Sequence, residues 1–141
     1  MKRMVCLGCI MTALASVVFV SCASMQKIAI SEGNLAQLKG SWTGSRSPEP
    51  SVTLNTDLEI FNDHFPLQGK WIFYEIRMTG YSYARDFIDF KGGKINEKGN
   101  LVITDSAIKA ELSLYRDDGK MWLEGTFSYP GGQGTMSFRK K

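Results

Sequence analysis

Beyond residue 22 the chain has no cysteine, and its 141 residues include a single histidine, His64, and four prolines. Without paired cysteines the long remainder has no disulfide framework and no thiolate cluster, so a packed core must hold the fold. One histidine, set beside Asp63 in "NDHF", supplies neither a histidine metal set nor a base for a missing cysteine nucleophile. It reads as a surface residue in a polar turn. Phosphate-loop chemistry is lacking too, because Gly131-Gly132-Gln133-Gly134 leads from one strand pattern into another and not into a helix. Asp117-Asp118-Gly119 lacks the spaced ligands and closing glutamate of a calcium loop and reads as a hairpin turn. Asp86 and Asp89, three apart on a strand pattern, project to opposite faces and make no acid–base pair. We expect no enzyme, no metal and no cofactor.

Only one long apolar run is present. Lys2 and Arg3 precede residues 4–20, MVCLGCIMTALASVVFV, which carry no charge. A short basic n-region before an apolar stretch of this length is the layout of a secretory signal peptide. The competing reading is an uncleaved anchor, but the run is at the lower edge of the ~20 residues that span a bilayer core. No basic stop-transfer cluster follows it. The stretch "FVSC", residues 19–22, resembles the bacterial lipobox, with Phe19 where leucine is usual. That resemblance implies diacylglyceryl lipidation of Cys22 after cleavage. A plain export signal with an incidental cysteine is the alternative. Cys6 and Cys9 fall within the removed leader, so their CxxC spacing has no metal or redox meaning.

This gives three expected segments: 1–21 a lipoprotein signal peptide, 22–33 a lipidated tether, and 34–141 one domain. Loss of Lys2 and Arg3 from 17 basic residues leaves 15 against 14 acidic ones. A formal charge near +1, with basic residues clustered only in the terminal "FRKK", offers no stripe for nucleic acid. In "NLAQLKG", Asn34 is the expected N-cap of a short helix presenting Leu35 and Leu38, with Gly40 as its stop.

From Gly40 onward the period changes to two. Val52, Leu54, Leu58 and Ile60 alternate with Thr53, Asn55, Asp57 and Glu59; Ile108, Ala110, Leu112 and Leu114 alternate with Lys109, Glu111 and Ser113. The apolar sets are expected inside, since a one-residue slip would bury Asp57, Glu59, Lys109 and Glu111 together. "GKWIFYEIRMTG", "YSYARDFIDF" and "NLVIT" are β-rich, and glycine-bearing turns separate these runs. The expected fold is all-β: a single antiparallel up-and-down β-barrel of about eight strands, preceded by a short N-terminal helix. Closure removes the exposed edges of such a meander.

The short helix, Gly40-Ser41-Trp42 opening the first strand, and Arg139 in the last resemble the calycin-type barrels, which include lipocalins, avidins and fatty-acid-binding proteins. The resemblance implies that Trp42 closes one barrel end and that Arg139 stacks across its indole as a structural clasp. It implies no particular ligand.

Aromatic supply is the remaining functional signal. Trp71 and Phe73 share one strand face, and Tyr81, Tyr83 and Phe87 another. Facing inward with Leu112, Leu114 and Phe127, they would line a cavity for an amphiphile. Facing outward, they would leave Ile72, Tyr74 and Ile76 to fill the core. The small Ala110 and Gly125 are expected to leave room inside. The function expected is a non-enzymatic, lipid-anchored protein of the bacterial cell envelope, at the outer membrane where the host has one. It would bind a small hydrophobic or amphiphilic ligand. The alternative is a protein-interaction module, an inhibitor or adaptor, whose barrel interior is filled.

Overall fold

The computed structural model describes residues 25–76 and 83–141. The leader, Cys22 and Tyr81 lie outside the described residues, as does the side chain of Tyr83. The elements are β1 (Gln26–Ile28), a 3-10 helix (Glu32–Gln37), β2 (Gly40–Glu49), β3 (Val52–Ile60), β4 (Leu67–Ile76), β5 (Tyr83–Ile95), β6 (Leu101–Thr104), β7 (Lys109–Asp117), β8 (Lys120–Tyr129) and β9 (Gly132–Lys140).

Strands β2 to β9 each pair antiparallel with their sequence neighbours, and β2 pairs with β9 to close an eight-stranded barrel. The expected all-β, up-and-down architecture is observed. Two-residue connections make several of the hairpins. Between β7 and β8, Asp118 and Gly119 have φ of 45° and 75°, the left-handed pair that matches the twist of the flanking strands.

The alternation falls as expected. Leu58, Ile60, Ala110, Leu112 and Leu114 are buried and belong to one core cluster, while their polar alternates face outward. Trp71 and Phe73 belong to the same cluster and Ile72 does not. Gly125 plays a different part from the one expected. A Cβ there would lie 1.9 Å from the Glu111 carbonyl oxygen, so the glycine lets β7 and β8 approach closely and does not open the interior. Ala110 is fully buried within the core cluster.

Two boundaries differ from the sequence expectation. The segment expected as a tether is part of the barrel from Gln26 onward. β1 adds to β7, pairing Gln26 with Arg116 and Ile28 with Leu114, and Ile30 is buried in the core. The alternation of Ile28 and Ile30 is the signal for this; three residues of strand are too few to register as a periodic run. The helix begins three residues earlier than expected, behind Ser31. Asn34 sits in its first turn, where Oδ1 accepts from the Ser31 N–H at 2.9 Å and Nδ2 donates to the Ala29 carbonyl at 3.0 Å. Leu35 and Leu38 from this segment are buried and plug one barrel end.

Outside the barrel, Glu111 organises the turn between β5 and β6. Its Oε1 accepts from Asn100 Nδ2 at 2.8 Å and Asn96 Nδ2 at 2.9 Å, and Asn100 Oδ1 accepts from Ser113 at 2.9 Å. The Asn100 bond first, then the Asn96 bond, hold the Glu111 carboxyl below its ordinary range. A depressed carboxyl pKa adds stability above the unfolded value, and that stability is lost as pH falls through the folded one. Glu111→Gln keeps the acceptor but not the charge. Urea midpoints of wild type and Glu111→Gln should therefore differ at pH 7 and converge as the pH falls through about 4.5 and below. A gap that persists unchanged in acid would mean the charge contributes nothing.

Candidate functional site

The two halves of the barrel interior differ. Toward the end plugged by Leu35 and Leu38 the space is filled by Trp42, Leu58, Leu67, Phe90, Leu112, Leu114, Leu123 and Phe138, all nearly inaccessible to solvent. Trp42 donates from Nε1 to the Leu38 carbonyl at 2.8 Å, which ties the helical plug to the first long strand. The cation over this indole is Lys140, with Nζ 5.6 Å from the ring, and not Arg139. Strand alternation explains the correction. Met136 and Phe138 point inward on β9, so Lys140 does as well, and Arg139 points outward to lie 6.0 Å from the Trp122 ring. Lys140 Nζ also donates to the Gln37 carbonyl, and burial lowers its pKa below the usual lysine value.

Toward the other end an aromatic layer forms a floor. Thr56, fully buried, accepts from Trp71 Nε1 at 2.8 Å and donates to the Ile72 carbonyl at 2.7 Å. Trp71 is thereby held with its indole nitrogen satisfied. Phe73 lies 4.8 Å from it and Phe127 meets it edge-on at 6.0 Å; Tyr129 stacks on Phe127 at 5.7 Å. Above this floor is an open cavity of about 490 Å³, lined by Arg46, Pro48, Leu54, Phe73, Asp86, Phe87, Ile88, Ile108, Phe127 and Tyr129. The Arg46 guanidinium, on a residue only 8% exposed, lies 5.0 Å from the Phe73 ring. The lining is mostly apolar, with a guanidinium and the Asp86 carboxylate as its ionic groups.

Of the residues singled out from the sequence, Phe73, Phe87 and Phe127 border this cavity. Trp71, Leu112 and Leu114 lie in the core cluster and do not line it. Phe87 contributes only at the border. The register sets it opposite Ile72, and the residue is 54% exposed with Lys70 Nζ 4.6 Å from its ring centroid. Asp86, opposite Phe73, takes the inward position, and Asp89 faces outward to Lys70 at 4.0 Å. Arg46, Pro48, Asp86, Ile88 and Tyr129 are lining residues that the sequence pattern does not single out for a cavity. A signal existed for two of them: Arg46 follows Trp42 and Gly44 at period two, and Tyr129 follows Phe127 likewise. His64 is a surface residue, its side chain 75% exposed beside Asp63.

The fold and cavity together define a closed eight-stranded antiparallel barrel, consistent with a calycin-like fold, with one end plugged and the other open among the described residues. Compared with known protein families, with curated proteins and with solved structures, the chain has no match.

Proposed function

We propose that this is a bacterial lipoprotein whose barrel binds a small hydrophobic or amphiphilic molecule in the open half of its interior. The observation that carries the reading is the cavity of about 490 Å³, which falls in the range of small-molecule sites. Its chemistry suits an amphiphile. Leu54, Ile88, Ile108, Phe127 and Phe73 offer apolar contact, and Arg46 and Asp86 offer polar anchoring to one end of the ligand. Burial of each ligand methylene contributes about 0.8 kcal/mol. Micromolar binding corresponds to about 8 kcal/mol, so a chain of roughly ten or more methylenes is needed even before the losses of association are counted.

The test uses the mature chain carrying Cys22→Ser, kept free of detergent, titrated with the neutral apolar fluorophore N-phenyl-1-naphthylamine. One saturable site is expected. Leu54→Trp, on the cavity wall, should weaken binding at least about tenfold, the loss that ~1.4 kcal/mol represents, with little change in the thermal midpoint. Folded wild-type protein that shows no saturable binding would favour a barrel that acts by docking a protein.

A further inference from the structure

Four large apolar side chains stand exposed among the described residues: Met25, Phe61, Phe65 and Phe87. Three of them belong to the plugged end. Phe61 and Phe65 flank the β3–β4 loop, which follows Ile60 at the level of Gly40, and Met25 precedes Gln26 at the level of Arg116. The opposite rim is made of polar and small residues at its described hairpin tips, Glu49 to Ser51 and Pro130 to Gln133.

The β3–β4 loop is built to present its phenylalanines. Asn62 Nδ2 donates to the carbonyls of His64 and Pro66, both at 3.0 Å, and its Oδ1 accepts from the Gln68 N–H at 2.8 Å. Phe61 N–H donates to the Gln68 carbonyl at 2.8 Å. Held by these bonds, the loop leaves Phe61 52% and Phe65 37% exposed without a packing partner that would bury them among the described residues.

The direction of the chain supplies the occupant. β1 runs antiparallel to β7, so its N-terminal end lies beside Arg116, next to the Asp118-Gly119 hairpin at the plugged end. Cys22 stands four residues before Gln26 and closely follows the apolar run. Four extended residues reach at most about 14 Å. From a lipidated Cys22, or from a retained run ending six residues before Gln26, the chain would enter the bilayer within about 14 to 22 Å of the plugged end. We propose that the plugged end of the barrel docks on the lipid bilayer through Phe61, Phe65 and Met25, and that the open cavity faces away from it. The inference rests on the membrane attachment proposed above.

Charge at this end is mixed. Lys39 pairs with Asp63 at 3.9 Å and Lys141 with Asp57 at 3.3 Å, so apolar contact and the tether carry the docking, not a basic patch. A short tether makes weak contact sufficient, because it holds the loop at an effective concentration of order millimolar.

The experiment uses the full mature protein, lipidated in its host and reconstituted into phosphatidylethanolamine–phosphatidylglycerol vesicles. The chain's one mature cysteine would carry lipid, so a fluorophore can be placed singly at His64→Cys or at Ser51→Cys on the opposite rim. Nitroxide-headgroup lipids are expected to quench the label at 64 several-fold more than the label at 51. Adding Phe61→Ser and Phe65→Ser should reduce quenching at 64 while the protein still floats with the vesicles. Equal quenching at both positions, or stronger quenching at 51, overturns the docking while leaving the anchor intact. Protein that does not float at all overturns the anchor and the docking together.

Discussion

Trp42→Ala is expected to destabilise the barrel by about 3–5 kcal/mol, read from urea unfolding. The indole is fully buried, donates to the Leu38 carbonyl at 2.8 Å and lies under Lys140. Its removal leaves a cavity beneath the helical plug and a buried carbonyl without a donor. Trp42→Phe keeps most of the apolar volume and loses the N–H, so about 1–3 kcal/mol is expected from the unsatisfied carbonyl and partial void. A double-mutant cycle separates the two basic residues of β9. Lys140→Met should couple to Trp42→Phe, because Lys140 Nζ lies over that ring. Arg139→Met should be near-additive with it, because Arg139 lies over Trp122 on the outer face. Coupling to Arg139 and none to Lys140 would mean the clasp is the one the sequence suggested and not the one in this barrel.

Cys22→Ser is expected to move the protein almost wholly from the membrane fraction to the soluble fraction and to abolish incorporation of labelled palmitate. Each buried methylene of an acyl chain contributes about 0.8 kcal/mol, and two chains are what turn marginal binding into stable anchoring. The apolar side chains at the plugged end cannot replace that contribution alone, so release should be nearly complete even with Phe61 and Phe65 intact. Palmitate label surviving the substitution would refute lipidation at this residue. Retention at the membrane without label would point to the uncleaved run 4–20 as the anchor.

The strand pattern was legible wherever one face is buried and the other wet. Val52–Ile60 and Lys109–Asp117 alternate because a slip by one residue would bury charges such as Asp57 and Glu111. The same rule, carried one residue further along β9, decides between Arg139 and Lys140 over Trp42. Adjacent basic residues are indistinguishable in composition, and only the register, which turns Met136 and Phe138 inward, separates them. Gly125 misled for a related reason. A glycine between Leu123 and Phe127 looks like missing volume, yet the backbone of Glu111 occupies the place where its Cβ would be.

Local chemistry, then, was enough for an all-β chain of about eight strands with an apolar inside, a short helix containing Leu35 and Leu38, and tight turns at Asp118-Gly119. These follow from period, capping and turn preference, which act over a few residues. The cavity needed the tertiary structure. Arg46, Leu54, Asp86, Ile108 and Tyr129 come from different parts of the chain, and no local rule states that their side chains stop short of one another above Phe73 and Phe127. Which end is filled and which is open depends on how eight strands of unequal length close around residues of particular volume. That is a property of the closed sheet, and packing across it joins positions as distant in sequence as Trp42 and Lys140.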